Sequence, residues 1–270
     1  MKKHNWLVAT VLSAALLAPT VQAHPIWMLP SEFNLSTEEA FWITVDATAA
    51  HGVFSFDKPV GLDNVSIYGP EGDRRRIGPY YKGQRRSVFD LQLDNPGTYK
   101  VEMRGQPRYM TSYVVGERNT ARRAFGSKLE VQLPEGARDV RTTAVQTISG
   151  FYVTHRTPTT KVLETTGEGF ELHALTHPSD VVKGEEARFK FTYDGKPAAD
   201  MKVELVPHGT AWRDSRMQVD LTTDKEGILR FTPVVTGPHL LTTSLRMDID
   251  SPLADGVGVN YLLTFEVLPQ

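Results

Sequence analysis

Short runs of branched and aromatic residues, broken by polar ones, recur through the first half of the chain. They cover residues 41–45, Val65–Tyr68, Ser87–Leu93, 99–103 and 109–115. Turn sequences separate them, such as Gly69-Pro70-Glu71-Gly72-Asp73 and Asp94-Asn95-Pro96-Gly97. This is the pattern of β-strands. In Tyr99-Lys100-Val101-Glu102-Met103 the alternation is clean, which predicts one buried face and one wet face. Seven further runs follow, at 170–175, Ala187–Tyr193, 201–207, 217–221, 228–232, 239–247 and 260–267. Asp194-Gly195 and Asp224-Lys225-Glu226-Gly227 sit at hairpin positions. Seven short strands in about a hundred residues fit an immunoglobulin-like sandwich.

The join between the halves has weaker periodicity. Residues 118–169 are rich in Thr, Arg and Gly. A short helix is expected over 117–125 and a linker over 157–169. The expected architecture is all-β, with two immunoglobulin-like β-sandwich domains in tandem at 24–167 and 168–270.

Residues 1–23 read as a signal peptide. Lys2 and Lys3 precede an apolar core over residues 7–17, and Val21-Gln22-Ala23 places small residues at −3 and −1 of a cleavage site. That apolar run is short for a membrane span, and no other stretch reaches its length, so the mature chain is expected to carry no span. No Cys follows the cleavage site for lipid attachment. The expected location is a bacterial periplasm. Cleavage removes Lys2 and Lys3 and no acid, which takes the net charge from −2 to −4. It also makes His24 the first residue.

The balance of charge argues against nucleic acid as a partner, which requires a basic face. The chain has no Cys. Disulfides, thiolate metal sites, iron–sulfur clusters and a cysteine nucleophile are therefore excluded. Enzyme signatures are missing as well: there is no Gly-x-Ser-x-Gly elbow, phosphate loop, dinucleotide fingerprint or His-Glu-x-x-His helix. The sequence gives no catalytic residue, and the expectation is a protein that is not an enzyme. Arg74-Arg75-Arg76 and Arg85-Arg86 read as solvated loop charges.

Metal chemistry is the remaining candidate. In an N-terminal His24 the α-amine and ring Nδ1 can close one chelate ring, and a single residue fixes the geometry. Both groups lose their protons near neutral pH, as ligation requires. Pro25 has no amide N–H, so the adjacent backbone nitrogen cannot join as a deprotonated ligand. The chelate must be completed by a residue from elsewhere in the fold. His51 is the first choice, since Ala49, Ala50 and Gly52 leave room around its ring. Three nitrogens suit copper, nickel, cobalt or zinc. Asp46 and Asp57 are possible oxygen donors. His173 and His177 form a second cluster, able either to bind a metal or to meet the first domain at an interface. His155, His208 and His239 are isolated in sequence.

The opening Ala23-His24-Pro25-Ile26-Trp27-Met28-Leu29-Pro30 resembles the His-x-x-Trp start of the domain-of-unknown-function family 4198. The second half adds Lys183-Gly184-Glu185, Asp194-Gly195-Lys196-Pro197, Thr223-Asp224-Lys225-Glu226-Gly227 and Thr236-Gly237-Pro238-His239. The likeness covers most of the mature chain. It implies an exported bacterial protein associated with nickel or cobalt uptake, working beside a membrane transporter. By position it implies His24 as a terminal ligand. His51 follows with a difference, because Gly52 comes after the His where the family order is Gly-His.

The expectation is thus a periplasmic protein that captures one divalent transition-metal ion (Ni, Co, Cu or Zn) through His24 and His51 and delivers it to a membrane uptake system. Two other readings stay open. One is an envelope module that binds protein or glycan without a metal. The other is a copper oxidase, since a terminal His with a second His resembles the histidine brace of lytic polysaccharide monooxygenases.

Overall fold

Branched and aromatic residues at alternate positions pack best on a pleated surface, and the chain follows that preference throughout. The computed structural model describes residues 24–270, and the signal-peptide reading of residues 1–23 falls outside them. The described residues hold twenty strands and three single-turn 3-10 helices. No helix among them is long and apolar enough to cross a membrane. The fold is all-β, built from sheets packed face to face as sandwiches.

The strands form sheets of five, eleven and four strands. The five-stranded sheet centres on Phe41–Ala49, flanked by Ile26–Pro30 and Ser87–Leu93. The four-stranded sheet centres on Ala187–Tyr193, flanked by Phe170–Ala174 and Ile228–Phe231. The eleven-stranded sheet serves both as a packing partner. One core, with Met28, Val45, Leu91, Val101, Phe151 and Val153, fills the space toward the five-stranded sheet. A second core, with Ile148, Tyr152, Phe189, Leu229, Tyr261 and Phe265, fills the space toward the four-stranded sheet.

The strand Arg138–His155 joins the two halves. It is eighteen residues long, and its last eight are all buried. Alternate side chains on a strand point to opposite faces. Ile148 and Tyr152 therefore enter the second core, while Phe151 and Val153 enter the first. Its central part pairs in parallel with Gly256–Val267, from Thr143↔Gly256 to Phe151↔Thr264. Parallel pairing demands a long crossover connection, which the intervening strands of the second half supply. The expected short helix over 117–125 is instead the turn and second strand of a hairpin, Arg108–Val115 with Thr120–Phe125. The expected linker over 157–169 carries the 3-10 helix Lys161–Leu163, whose Val162 and Leu163 lie in the second core.

The expected wet face of residues 99–103 is also covered. Glu102 is 5% exposed. Its Oε2 lies 2.9 Å from Lys100 Nζ and its Oε1 2.8 Å from Arg104 Nε. Arg104 Nη2 also donates to the Phe170 carbonyl at 3.2 Å, which ties the triad to the second half. Burial acts to raise the Glu102 pKa, but the Lys100 and Arg104 charges and hydrogen bonds outweigh it and hold the carboxyl at about 2. Burial acts to lower Lys100, yet Tyr152 and Glu102 push it up to about 12.

Replacing Glu102 by Gln leaves two half-buried cations without their counter-charge, and should cost about 1–3 kcal/mol in urea unfolding. In the native chain the Glu102 stabilisation is complete above the ordinary carboxyl value of 4.5 and is lost as pH falls toward 2. The Glu102→Gln protein should lack that acid limb of the stability profile. Ile148→Ala and Phe151→Ala act on opposite cores, each costing about 2–5 kcal/mol. Because one strand serves both cores, each should lower a single cooperative transition in calorimetry.

Candidate metal centre

The first strand fixes the position of His24. Ile26–Pro30 pairs antiparallel with Phe41–Ala49, with Ile26 opposite Ala49. The ladder runs one rung further, where Ala50 N–H donates to the Pro25 carbonyl at 3.0 Å. Pro25 has no N–H to return, so the rung is held from one side. The next rung sets His24 against His51. Their rings meet with centroids 3.8 Å apart, edge to face at 62°.

His51 begins the loop after Phe41–Ala49. A local turn shapes it: Ser55 N–H and Ser55 Oγ both donate to the Gly52 carbonyl, at 3.2 and 2.8 Å. A Cβ at Gly52 would come within 2.4 Å of that Ser55 hydroxyl, so a side chain there would turn the hydroxyl away from the Gly52 carbonyl. Phe54 takes a left-handed φ of 55° and turns its ring inward. There Val53 and Phe54 pack with Trp27, Val206, Leu240 and Leu262. The loop is thus anchored on both halves while the His51 side chain stays 73% exposed.

Asp57 closes the loop from below. Its Oδ2 accepts the His51 backbone N–H at 3.0 Å and lies 3.8 Å from His51 Nδ1. That approach is too long for a hydrogen bond, so Asp57 meets the His51 ring as a nearby charge. His24 is half-buried. Partial burial, then the neighbouring His51 ring and Lys58, hold its pKa below the ordinary value, and Asp57 opposes them. A depressed pKa means a neutral, ligating imidazole at neutral pH.

The fold brings His24, His51 and Asp57 together and disperses the other candidates. Asp46 pairs with Arg86 at 2.9 Å. His173 is exposed on its strand, and His177 is spent on interface contacts: Nε2 with Thr98 Oγ1 and the Thr159 carbonyl, each at 3.1 Å, and Nδ1 with Ser179. His155 is buried between the Asn95 and Thr37 carbonyls. His239 is buried against Phe265, and burial lowers its pKa. His208 lies between Phe54 and Trp212. Among the described residues no group of three His, Asp or Glu side chains is arranged to hold a metal.

A cleft of about 170 Å³ opens beside His51. Trp27 and His51 line it from the first half, and Glu204, Arg216, Leu240 and Thr242 from the second. Trp27 is fully buried against Phe54 and Phe56, and its Nε1 has no partner among the described residues. Sequence reading missed Glu204, Arg216 and Thr242. They reach the cleft from three separate segments, and no local pattern links them to His51. A second cavity of about 480 Å³ lies further along, lined by Glu32, Asn34, Asp46, His208 and Glu266 among others.

The chain is similar to the D0-D1 domain of intimin at 15% identity, over 90% of this chain and 98% of that one, with a TM-score of 0.20. It is also similar to trypsin-activated alpha-2-macroglobulin from Escherichia coli at 10% identity and a TM-score of 0.21. That match spans 89% of this chain but only 23% of the macroglobulin. At such scores neither likeness bears on function. No curated protein matches the sequence. A family model described as a domain of unknown function, DUF4198, matches residues 21–246, and the chain belongs to that family.

Proposed function

We propose that the chain is processed between Ala23 and His24, and that the product is a periplasmic protein that binds one divalent transition-metal ion. The cargo is Ni, Co, Cu or Zn, handed on to a membrane uptake system. The observation that supports this reading is the ladder rung that sets the His24 ring 3.8 Å from the His51 ring.

The proposed donors are the His24 α-amine and Nδ1 and the His51 Nε2. Two nitrogens bound to one ion at 2.0–2.1 Å lie roughly 3–4 Å apart, so rings already in contact need little rearrangement. The third nitrogen is a main-chain amine that exists only after cleavage, so side chains alone would not reveal the site. Asp57 acts behind His51 as a nearby charge and as the acceptor of its backbone N–H. Three protein donors leave a position for water or an exchanging ligand, which suits release to a transporter.

Titration calorimetry on protein with its native N-terminus should give one ion per chain. His24→Ala should abolish binding. Losing an outer-shell partner costs 10–100-fold in affinity, so loss of a direct ligand in His51→Ala should cost at least about 100-fold, and Asp57→Asn about 10-fold. A Gly-Ser extension before His24 keeps both imidazoles and blocks the amine, and should weaken binding as much as His24→Ala does. Undiminished binding by the His24→Ala protein would overturn the site. N-terminal sequencing of the exported chain checks the cleavage point independently.

A further inference from the structure

The hairpin Arg108–Val115 with Thr120–Phe125 extends the eleven-stranded sheet beyond the two cores. Residues directly paired across strands share a face. The registers therefore assemble four rows on one face. One row is Ala121, Val114 and Arg138; the next is Arg123, Ser112 and Arg141. The third is Phe125, Met110, Thr143, Gly256 and Asp248, and the fourth is Arg108, Val145, Gly258 and Arg246. All five arginines are exposed.

Those four rows carry one carboxylate, Asp248, which pairs with Arg141. Four positive charges remain in excess, on a chain whose net charge is −2. Arg138 is steadied by Asn119 Oδ1 at 2.6 Å and the Gly116 carbonyl at 3.1 Å. The two glycines make a floor for the others. A Cβ at Gly256 would strike Arg141 Nη2 at 2.7 Å, and one at Gly258 would strike Arg246 Nη1 at 2.6 Å. The guanidinium groups thus lie close over the sheet. Phe125 stands among them, 84% exposed, and Leu129 follows it at 74%.

We propose that this face docks the protein on an anionic phospholipid bilayer. Five strands about 4.8 Å apart present a broad face roughly 20 Å across. Arginines spread over that width match the lateral array of phosphates in a headgroup layer, and each can bind phosphate oxygens in a bidentate manner. An exposed phenyl ring within the array matches the acyl boundary below the headgroups. A sulfated polysaccharide would use the charges but offers no apolar layer to Phe125.

Co-sedimentation with vesicles tests this, using the chain as the cell processes it. Binding should rise as phosphatidylglycerol replaces phosphatidylcholine and fall with added salt. Each arginine near an anionic surface contributes roughly 5-fold to partitioning, so the triple variant Arg108→Glu, Arg123→Glu, Arg246→Glu should lose about 100-fold or more. Phe125→Ser should lose about 10-fold while keeping the salt dependence. The matched triple variant Arg74→Glu, Arg76→Glu, Lys82→Glu, exposed elsewhere on the first half, should bind nearly as the parent does. Circular dichroism confirms that each variant is folded. The proposal is overturned if the parent ignores phosphatidylglycerol at low salt, or if the triple variant binds undiminished. It is also overturned if heparin binds as tightly as the vesicles and Phe125→Ser changes neither, which would point to a soluble polyanion.

Discussion

One backbone pairing carries the architecture: the parallel ladder between Arg138–His155 and Gly256–Val267. It joins the main sheets of both sandwiches into one. A strand inside such a sheet has no wet face, and residues 148–155 are buried on both sides. The demand passes to its neighbour. Gly97–Arg104 pairs with the last four residues of that strand, Tyr152 opposite Lys100, so its charged side also faces inward. A lone carboxylate there would be costly, and the flanking cations at i−2 and i+2 meet the cost. The Lys-x-Glu-x-Arg spacing is thus a packing solution to a shared sheet, with Tyr68 under the Lys100 ammonium at 5.6 Å.

The candidate metal centre depends on the same kind of constraint at smaller scale. A one-residue slip between Ile26–Pro30 and Phe41–Ala49 would reverse every side chain of the first strand. Trp27 and Met28 fix the register because they point to different sides, one into the cluster with Phe54 and the other into the first core. The placement of His24 is therefore a consequence of where Trp27 and Met28 must go. That gives the spacing of His and Trp in the opening motif a physical meaning: the Trp locks the rung on which the His sits.

Much of this was legible in the sequence. The expected runs at Val65–Tyr68, Ser87–Leu93 and Ala187–Tyr193 fall on strands with those same bounds. His24 and His51 were singled out by residue chemistry, and the fold places them in contact. Misreadings arose where tertiary context overrides local pattern. The strand Arg138–His155 was hidden because a strand buried on both faces does not alternate, and its Thr, Ser and Gly residues dilute the apolar signal. Gly116 and Asn119 form the turn, both with left-handed φ, but the Ala-Arg-Arg-Ala stretch that follows has helix-forming composition. Pairing with Arg108–Val115 decides otherwise. The wet face expected of residues 99–103 failed because alternation reports polarity and cannot tell water from a buried ion triad. The cleft beside His51 was invisible for the reason that most clefts are: its walls converge from distant segments.

The two proposals meet on one surface. Along Gly237–Asp248 the side chains of one face run Leu240, Thr242, Ser244, Arg246 and Asp248. The first two line the cleft beside His51, and the last two belong to the arginine rows. Four residues of strand separate Thr242 from Arg246, about 13 Å at the usual rise. A chain resting on a bilayer through its arginines would therefore carry the histidine pair near the membrane surface, on the side of the sheet that bears the rows. Held there, a metal leaving His24 and His51 would have a short path to a membrane acceptor, and the search for that acceptor would be confined to two dimensions. Electrostatic docking of this kind weakens as salt screens it, so delivery and retention would be set by separate forces: coordination for the ion, and headgroup charge for the carrier.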